Sequence, residues 1–127
     1  MQREEDVMTY EELVVRVREL YENADAREVF EHVAIQINLE GEVTGAFYIE
    51  VANREVCVEP YTYYDRDILV TLNSGLLEDI LDGRVKYKDA VEGGLISIKG
   101  DLYKYELMKK IKLRSRRKTR ASKKANG

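Results

Sequence analysis

The chain holds one histidine, His32, and one cysteine, Cys57. Cysteine nucleophilic chemistry would need these two side chains to converge in the fold, with the imidazole accepting the thiol proton. A zinc set built on Cys/His pairs needs more residues of these types than the chain has. His32 stands where a strand should begin. Cys57 alternates with Val56 and Val58, so it is expected on the opposite face of its strand, and ordinary packing or exposure is the expectation for both. Carboxylates are plentiful, among them Glu78, Asp79, Asp82, Asp89 and Glu92. Acid–base catalysis would need a pair with perturbed protonation held in a cleft, whereas on a surface this charged such residues form a solvated face. Gly93-Gly94 lacks the Gly-Lys-Ser continuation of a phosphate-binding loop. No catalytic residue, no metal ligand and no cofactor is therefore expected, and the chain reads as a non-enzyme.

What remains is apolar periodicity and charge. A chain of 127 residues fits one domain and buries roughly two-thirds of its unfolded surface. The net charge of −3 conceals a division, because every one of the 24 acidic residues lies at or before Glu106. Ten cations follow it from Lys109 to Lys124, leaving eleven bases in the body, so the body carries −13 and the tail +10. From Ser115 onward no aliphatic residue exceeds alanine. The expected organisation is a folded domain over 1–113 and a disordered basic tail over 114–127. Such a tail could contact anionic membrane lipid. Nucleic acid is a weaker candidate partner, since no aromatic residue follows Tyr105 to stack on bases. Apolar runs fall far short of the roughly 20 residues of a membrane-spanning helix, and residues 1–5 are polar. A lone cysteine forms no internal disulfide, and a cytoplasmic location is the expectation.

The elements follow from spacing. Thr9 with Glu12 forms a capping box ahead of an apolar stripe, Leu13, Val14, Val17, Leu20 and Tyr21, which predicts a helix. Residues 26–30 are expected to add a short turn. From Val33 the period falls to two: Val33, Ile35, Ile37 and Leu39 alternate with more polar residues, predicting a strand with one covered face. Gly45 opens a second strand, in which Phe47, Ile49 and Val51 share a side. Asn53-Arg54 marks a tight turn, and Val56 and Val58 form the apolar side of a third strand that ends at Pro60. These three strands make an antiparallel meander. After a crossover carrying Tyr61, Tyr63 and Tyr64, residues 68–72 are apolar on both faces and predict an interior strand. Asn73 or Ser74 caps a helix with Leu76, Leu77, Ile80 and Leu81 on its apolar side, ended by Asp82-Gly83. Residues 87–91 predict a further helical turn before Gly93-Gly94. Ile96 and Ile98 alternate in a fifth strand, and Asp101 caps a last helix whose buried face is expected to hold Leu102, Tyr105, Met108 and Ile111.

The sharpest part is 67–101: Asp67 ahead of a strand containing Thr71, Gly83 after a leucine-rich helix, Asp89-Ala90, Gly94, and Ile96-Ser97-Ile98-Lys99-Gly100-Asp101. With the order of elements from Tyr10 to Ile111, this set resembles the sterol carrier protein type 2 family. The resemblance implies an α+β fold: a five-stranded mixed sheet, antiparallel meander plus crossover strands, with helices over one face and an apolar tunnel between the layers. It also implies a non-catalytic domain that binds or transfers an apolar lipid such as a fatty acid, an acyl-CoA or a sterol. The residues expected to line the pocket are Phe47, Ile49, Ile68, Val70, Leu76, Leu77, Ile80, Leu81, Val91, Ile96, Ile98, Leu102 and Met108. The aromatic crossover is a further candidate for its entrance. Glu92 stands where the resemblance implies an apolar wall, so it is expected to polarise one end. The alternative is an accessory or interaction domain with a closed core, whose basic tail contacts membranes or nucleic acid.

Overall fold

The computed structural model describes residues 7–113. The expected tail, 114–127, lies outside the described residues. Helix α1 (Tyr10–Tyr21) begins at the capping box: the Thr9 hydroxyl accepts from the Glu12 N–H, and the Glu12 carboxylate accepts from the Thr9 N–H. Leu13, Val14 and Val17 are its buried residues. Strands β1 (Val33–Glu40), β2 (Gly45–Ala52) and β3 (Glu55–Glu59) form the meander, and the chain then crosses to β4 (Ile68–Asn73). Helices α2 (Ser74–Leu81) and α3 (Tyr87–Glu92), strand β5 (Ser97–Gly100) and helix α4 (Leu102–Met108) complete the order. The expected short turn after α1 amounts to one backbone bond, from the Val29 N–H to the Ala26 carbonyl at 3.0 Å.

The five strands lie in the order β3-β2-β1-β4-β5. All neighbours are antiparallel except β1 and β4, so the sheet is mixed as expected. Cross-strand partners share a face. Ile35 opposite Ile49 and Ile68, Ile37 opposite Phe47 and Val70, and Val51 opposite Val33 and Val56 therefore make one continuous apolar surface. The helices cover that surface, and Leu13, Val17, Leu77, Ala90 and Leu107 join it in a single core.

The opposite face of β1 departs from the one-sided reading. Ala34 and Gln36 are buried there as well, because the crossover folds back over them: the Gln36 side-chain oxygen accepts from the Tyr63 N–H at 2.9 Å. Ile96 lies just ahead of β5 rather than in it.

Asp67 and the Gly-Asp corner that closes the 67–101 segment have a common structural reason. The Asp67 carboxylate accepts from the Ala34 N–H at 2.9 Å, its N–H donates to the Ala34 carbonyl at 2.8 Å, and its carbonyl accepts from the Asp101 N–H at 2.9 Å. Lys104 reaches the same carboxylate at 3.5 Å. Gly100, with φ +127°, brings its Cα so close to this knot that an added Cβ would lie 2.3 Å from the Asp67 carbonyl oxygen. Asp101 then caps α4 by accepting from the Tyr103 and Lys104 N–H groups.

Candidate functional site

The apolar layer between sheet and helices is the candidate site. Phe47, Ile49, Ile68 and Val70 are buried on the sheet side, and Leu77 and Ile96 face them from the helical layer and its return. Leu76, Ile80, Leu81, Val91, Ile98 and Met108 are partly buried and pack against the same core. The sequence-predicted residues thus converge on one layer, with a single exception. Leu102 is 61% exposed. Tyr105, Met108 and Ile111 pack against the core as expected, whereas Asp101 takes the cap position and leaves Leu102 at the solvent side of the first turn of α4. Leu107 supplies the buried anchor that the stripe reading missed. Its i,i+4 spacing to Ile111 was the available signal.

The lining side chains pack against one another in a single core. A cavity of about 480 Å³ opens at the edge of this layer, lined by Val7, Leu76 and Leu95 together with Glu42, Asn73, Glu78 and Asp79. Leu76 is the predicted lining residue it includes. Beside the layer, α3 is held by buried Ala90 and by the Tyr87 hydroxyl, 2.6 Å from that of Tyr105. Burial pushes the Tyr87 phenol well above its ordinary range, so it stays neutral.

No protein-family model and no curated protein sequence matches the chain. Solved structures do. The palmitated sterol carrier protein 2-like 2 of Aedes aegypti superposes with a TM-score of 0.59 at 20% identity, over 75% of this chain and 86% of that one. Sterol carrier protein 2 of Yarrowia lipolytica gives 0.58 at 14% identity, over 80% and 95%. The chain has the sterol carrier protein 2 fold. The same fold occurs as a part of a larger protein, the inverting sec-alkylsulfatase of a Pseudomonas species, where the match covers 76% of this chain and 15% of the enzyme at 17% identity and a TM-score of 0.57.

Within the sterol carrier protein 2 fold of this chain, Glu92 does not polarise the layer. Its side chain is 65% exposed and lies 3.9 Å from Lys88 on the outer side of α3. The expectation of a charged pocket end is corrected: α3 turns Val91 inward and the neighbouring residue therefore outward.

The residues with chemical potential gather elsewhere, on the uncovered sheet face. His32 and Cys57 both converge on Glu50. The His32 Nε2 is 2.6 Å from one carboxylate oxygen, which also accepts from the Tyr63 hydroxyl at 2.9 Å, and the Cys57 Sγ is 3.8 Å from the other oxygen. Desolvation opposes ionisation of Glu50, but the hydrogen bonds from His32 and Tyr63 outweigh it and hold the carboxyl below its usual range. Desolvation, then Coulomb repulsion from Glu50 and Glu59, pushes the Cys57 thiol up, away from the thiolate a nucleophile requires. Cysteine and histidine converge with a carboxylate between them, an arrangement that stabilises the carboxylate and leaves the thiol protonated. Among the described residues no group of three or more His, Cys, Asp or Glu is placed to hold a metal ion, and no helix is long and apolar enough to cross a membrane.

Proposed function

We propose that this domain binds an apolar lipid chain between its sheet and its helices, and carries it without chemical change. The observation that carries the reading is the continuous apolar layer, Phe47, Ile49, Ile68 and Val70 against Leu77, Leu81 and Ile96, on a fold shared with proteins named as sterol carriers. One such relative was solved in palmitated form. The layer offers apolar contact and no reactive group, which suits retention of cargo. Transfer of a chain of about 14 methylenes into such a layer provides roughly 11 kcal/mol before an association cost of about 4–15 kcal/mol, so micromolar affinity is within reach.

Entry needs a part that yields. The α3 segment is bracketed by Gly83 at φ +81° and Gly94 at φ +77°, each with open space around the position of a Cβ. Two left-handed glycines flanking a short helix support outward swing of α3 while the sheet stays fixed. The ligand-lining set is the one the sequence proposes, without Leu102 as a buried member. Segment 114–127 supplies cations that attract the domain to anionic lipid at about 1 kcal/mol for each one near the surface.

Solvent extraction of the purified protein followed by mass spectrometry, with titration by a fluorescent fatty acid, tests the reading. Co-purifying lipid and saturable binding in the micromolar range are expected. Absence of both below tens of micromolar ends the carrier reading and favours the rival, an accessory domain whose core stays closed, which draws on the tight packing of Phe47, Ile68 and Val51.

A further inference from the structure

Tyrosine hydroxyls gather where α1, α3 and α4 meet. Tyr21 is the last residue of α1, Tyr87 the first of α3, and Tyr105 lies in α4. Tyr21 and Tyr105 pack against the apolar core while Tyr87 is 42% exposed, so the cluster sits where the layer reaches solvent. The Tyr87 and Tyr105 hydroxyl oxygens are 2.6 Å apart, and Tyr21 lies close enough for a charge on its phenol to be felt by Tyr87. Burial, then repulsion from Tyr105, pushes the Tyr21 phenol up.

The hydrogen bonds of this cluster are incomplete. A phenol has one O–H to donate and lone pairs with which to accept. One O–H of the Tyr87 and Tyr105 pair is spent within the pair, and the other has no protein acceptor among the described residues. The Tyr21 hydroxyl likewise has no protein hydrogen-bond partner among them. The Lys109 ammonium is 5.5 Å from the Tyr105 ring centre but is paired with Glu106 at 3.2 Å, and among the described residues no cation donates to these phenol oxygens. The result is an uncharged set of donors and acceptors at the edge of an apolar layer. A hydroxyl headgroup suits such a set on both counts, because it donates and accepts. A carboxylate only accepts, and burying its charge without a cation is costly.

The same cluster holds the segment that must yield. The bond between Tyr87 and Tyr105 ties the first turn of α3 to α4, and the positive-φ glycines Gly83 and Gly94 flank that helix. Outward swing of α3 breaks the bond, and the hydroxyl of an incoming lipid replaces it. We propose that the Tyr21, Tyr87 and Tyr105 hydroxyls form the headgroup site of the apolar layer, and that this site selects a long-chain alcohol over the carboxylate of the same chain length. The inference rests on lipid binding in the layer and adds the class of head that the lipid carries.

The test is a competition. Full-length protein stripped of lipid is equilibrated with an equimolar mixture of a saturated long-chain alcohol and the acid of equal length, at a mildly alkaline pH that ionises the acid. It is then freed of unbound lipid and extracted for mass spectrometry. Retained alcohol should exceed retained acid about tenfold, which two hydrogen bonds can supply. The combined variant Tyr21→Phe, Tyr87→Phe and Tyr105→Phe keeps the rings and should bring the ratio below about twofold, and Tyr87→Phe alone, the milder change, should lower it about threefold. Tyr103→Phe should leave the ratio unchanged, since the Tyr103 hydroxyl bonds to Glu31 at 2.6 Å on the exposed side of α4. Equal retention of both lipids by the parent protein, or an undiminished ratio in the Phe variants of the cluster, overturns the headgroup site and leaves the carrier reading intact. Retention of neither lipid overturns both.

Discussion

The two faces of the sheet divide the molecule's capacities between them. The helix-covered face gathers Phe47, Ile49, Val51, Ile68 and Val70, which bury apolar surface and offer no reactive group. The open face gathers His32, Glu50, Cys57 and Tyr63, which are reactive types held in mutual hydrogen bonds. Strand alternation places Glu50 and Cys57 on the face opposite Phe47, Ile49 and Val51, and irregular chain brings His32 and Tyr63 to them. The comparison teaches that residue type is a poor guide to function without its neighbours: the chemically inert face has the properties of a binding layer, and the chemically rich one neutralises itself.

If the covered face carries the stability, its substitutions should dominate. Phe47→Ala removes a fully buried ring at the centre of the sheet and is expected to cost about 4 kcal/mol in chemical denaturation. A loss under about 1 kcal/mol would mean that the layer is loose enough to collapse or already hollow, which would reshape the packing account. Gly100→Ala ranks next, at about 3 kcal/mol, because it adds both a strained positive φ and a methyl group against the Asp67 carbonyl. Asp67 and Asp101 tie β1, the start of β4 and the cap of α4 together at that corner, so Gly100→Ala should lower the thermal midpoint of the whole domain. Selective hydrogen-exchange loss in β5 alone would instead mark the corner as local.

Much of the covered face was legible because its signals are local. The Thr9–Glu12 box, the alternation of β1 and β2, and the Asn73 cap each depend on residues within a few positions of one another. The knot at Asp67 was visible as a pattern without its cause, since its partners Ala34 and Asp101 come from distant parts of the chain. Half of the open-face network was also within reach. Asn53 and Arg54 both have positive φ, the conformation of a two-residue hairpin turn, and such a turn fixes Ala52 opposite Glu55 and hence Glu50 opposite Cys57. His32 and Tyr63 were out of reach, as each lies in irregular chain whose path is set by tertiary packing. Leu102 was misplaced for a different reason: a helix of seven residues contains too few turns to phase its stripe from periodicity alone.

On the open face, Tyr63→Phe should cost about 1 kcal/mol, the worth of one hydrogen bond to a partly exposed carboxylate. Protonation gives the sharper reading. The hydrogen bond to Glu50, followed by desolvation, pushes the Tyr63 phenol up to about 12. The folded value exceeds the unfolded one of about 10, so the stabilising contribution is present below pH 10 and is lost as pH rises through about 12. Glu50 runs the other way. Its folded value is depressed, so its contribution is present above the ordinary carboxylate range and is lost as pH falls through the lower folded value. Ultraviolet titration should show one fewer late-ionising tyrosine in Tyr63→Phe than in the parent protein, with Tyr87 ionising late in both, and NMR titration should show Glu50 moving back towards the ordinary range in that variant. An unmoved Glu50 would show that His32 alone holds it.

Cys57→Ser should have the smallest effect, within about 0.5 kcal/mol, and it discriminates most finely between the faces. The thiol lies exposed at 3.8 Å from Glu50, a weak donor whose replacement hydroxyl donates more strongly to the same carboxylate. Stability should therefore hold or rise slightly, and lipid binding should be unchanged because the substitution sits on the far side of the sheet from the apolar layer. A marked fall in lipid uptake after Cys57→Ser would connect the two faces through β3 and break the division between them. The ranking from Phe47 to Cys57 follows packing and backbone strain and not chemical reactivity, so reversal of that order would place the working part of the molecule on its open face.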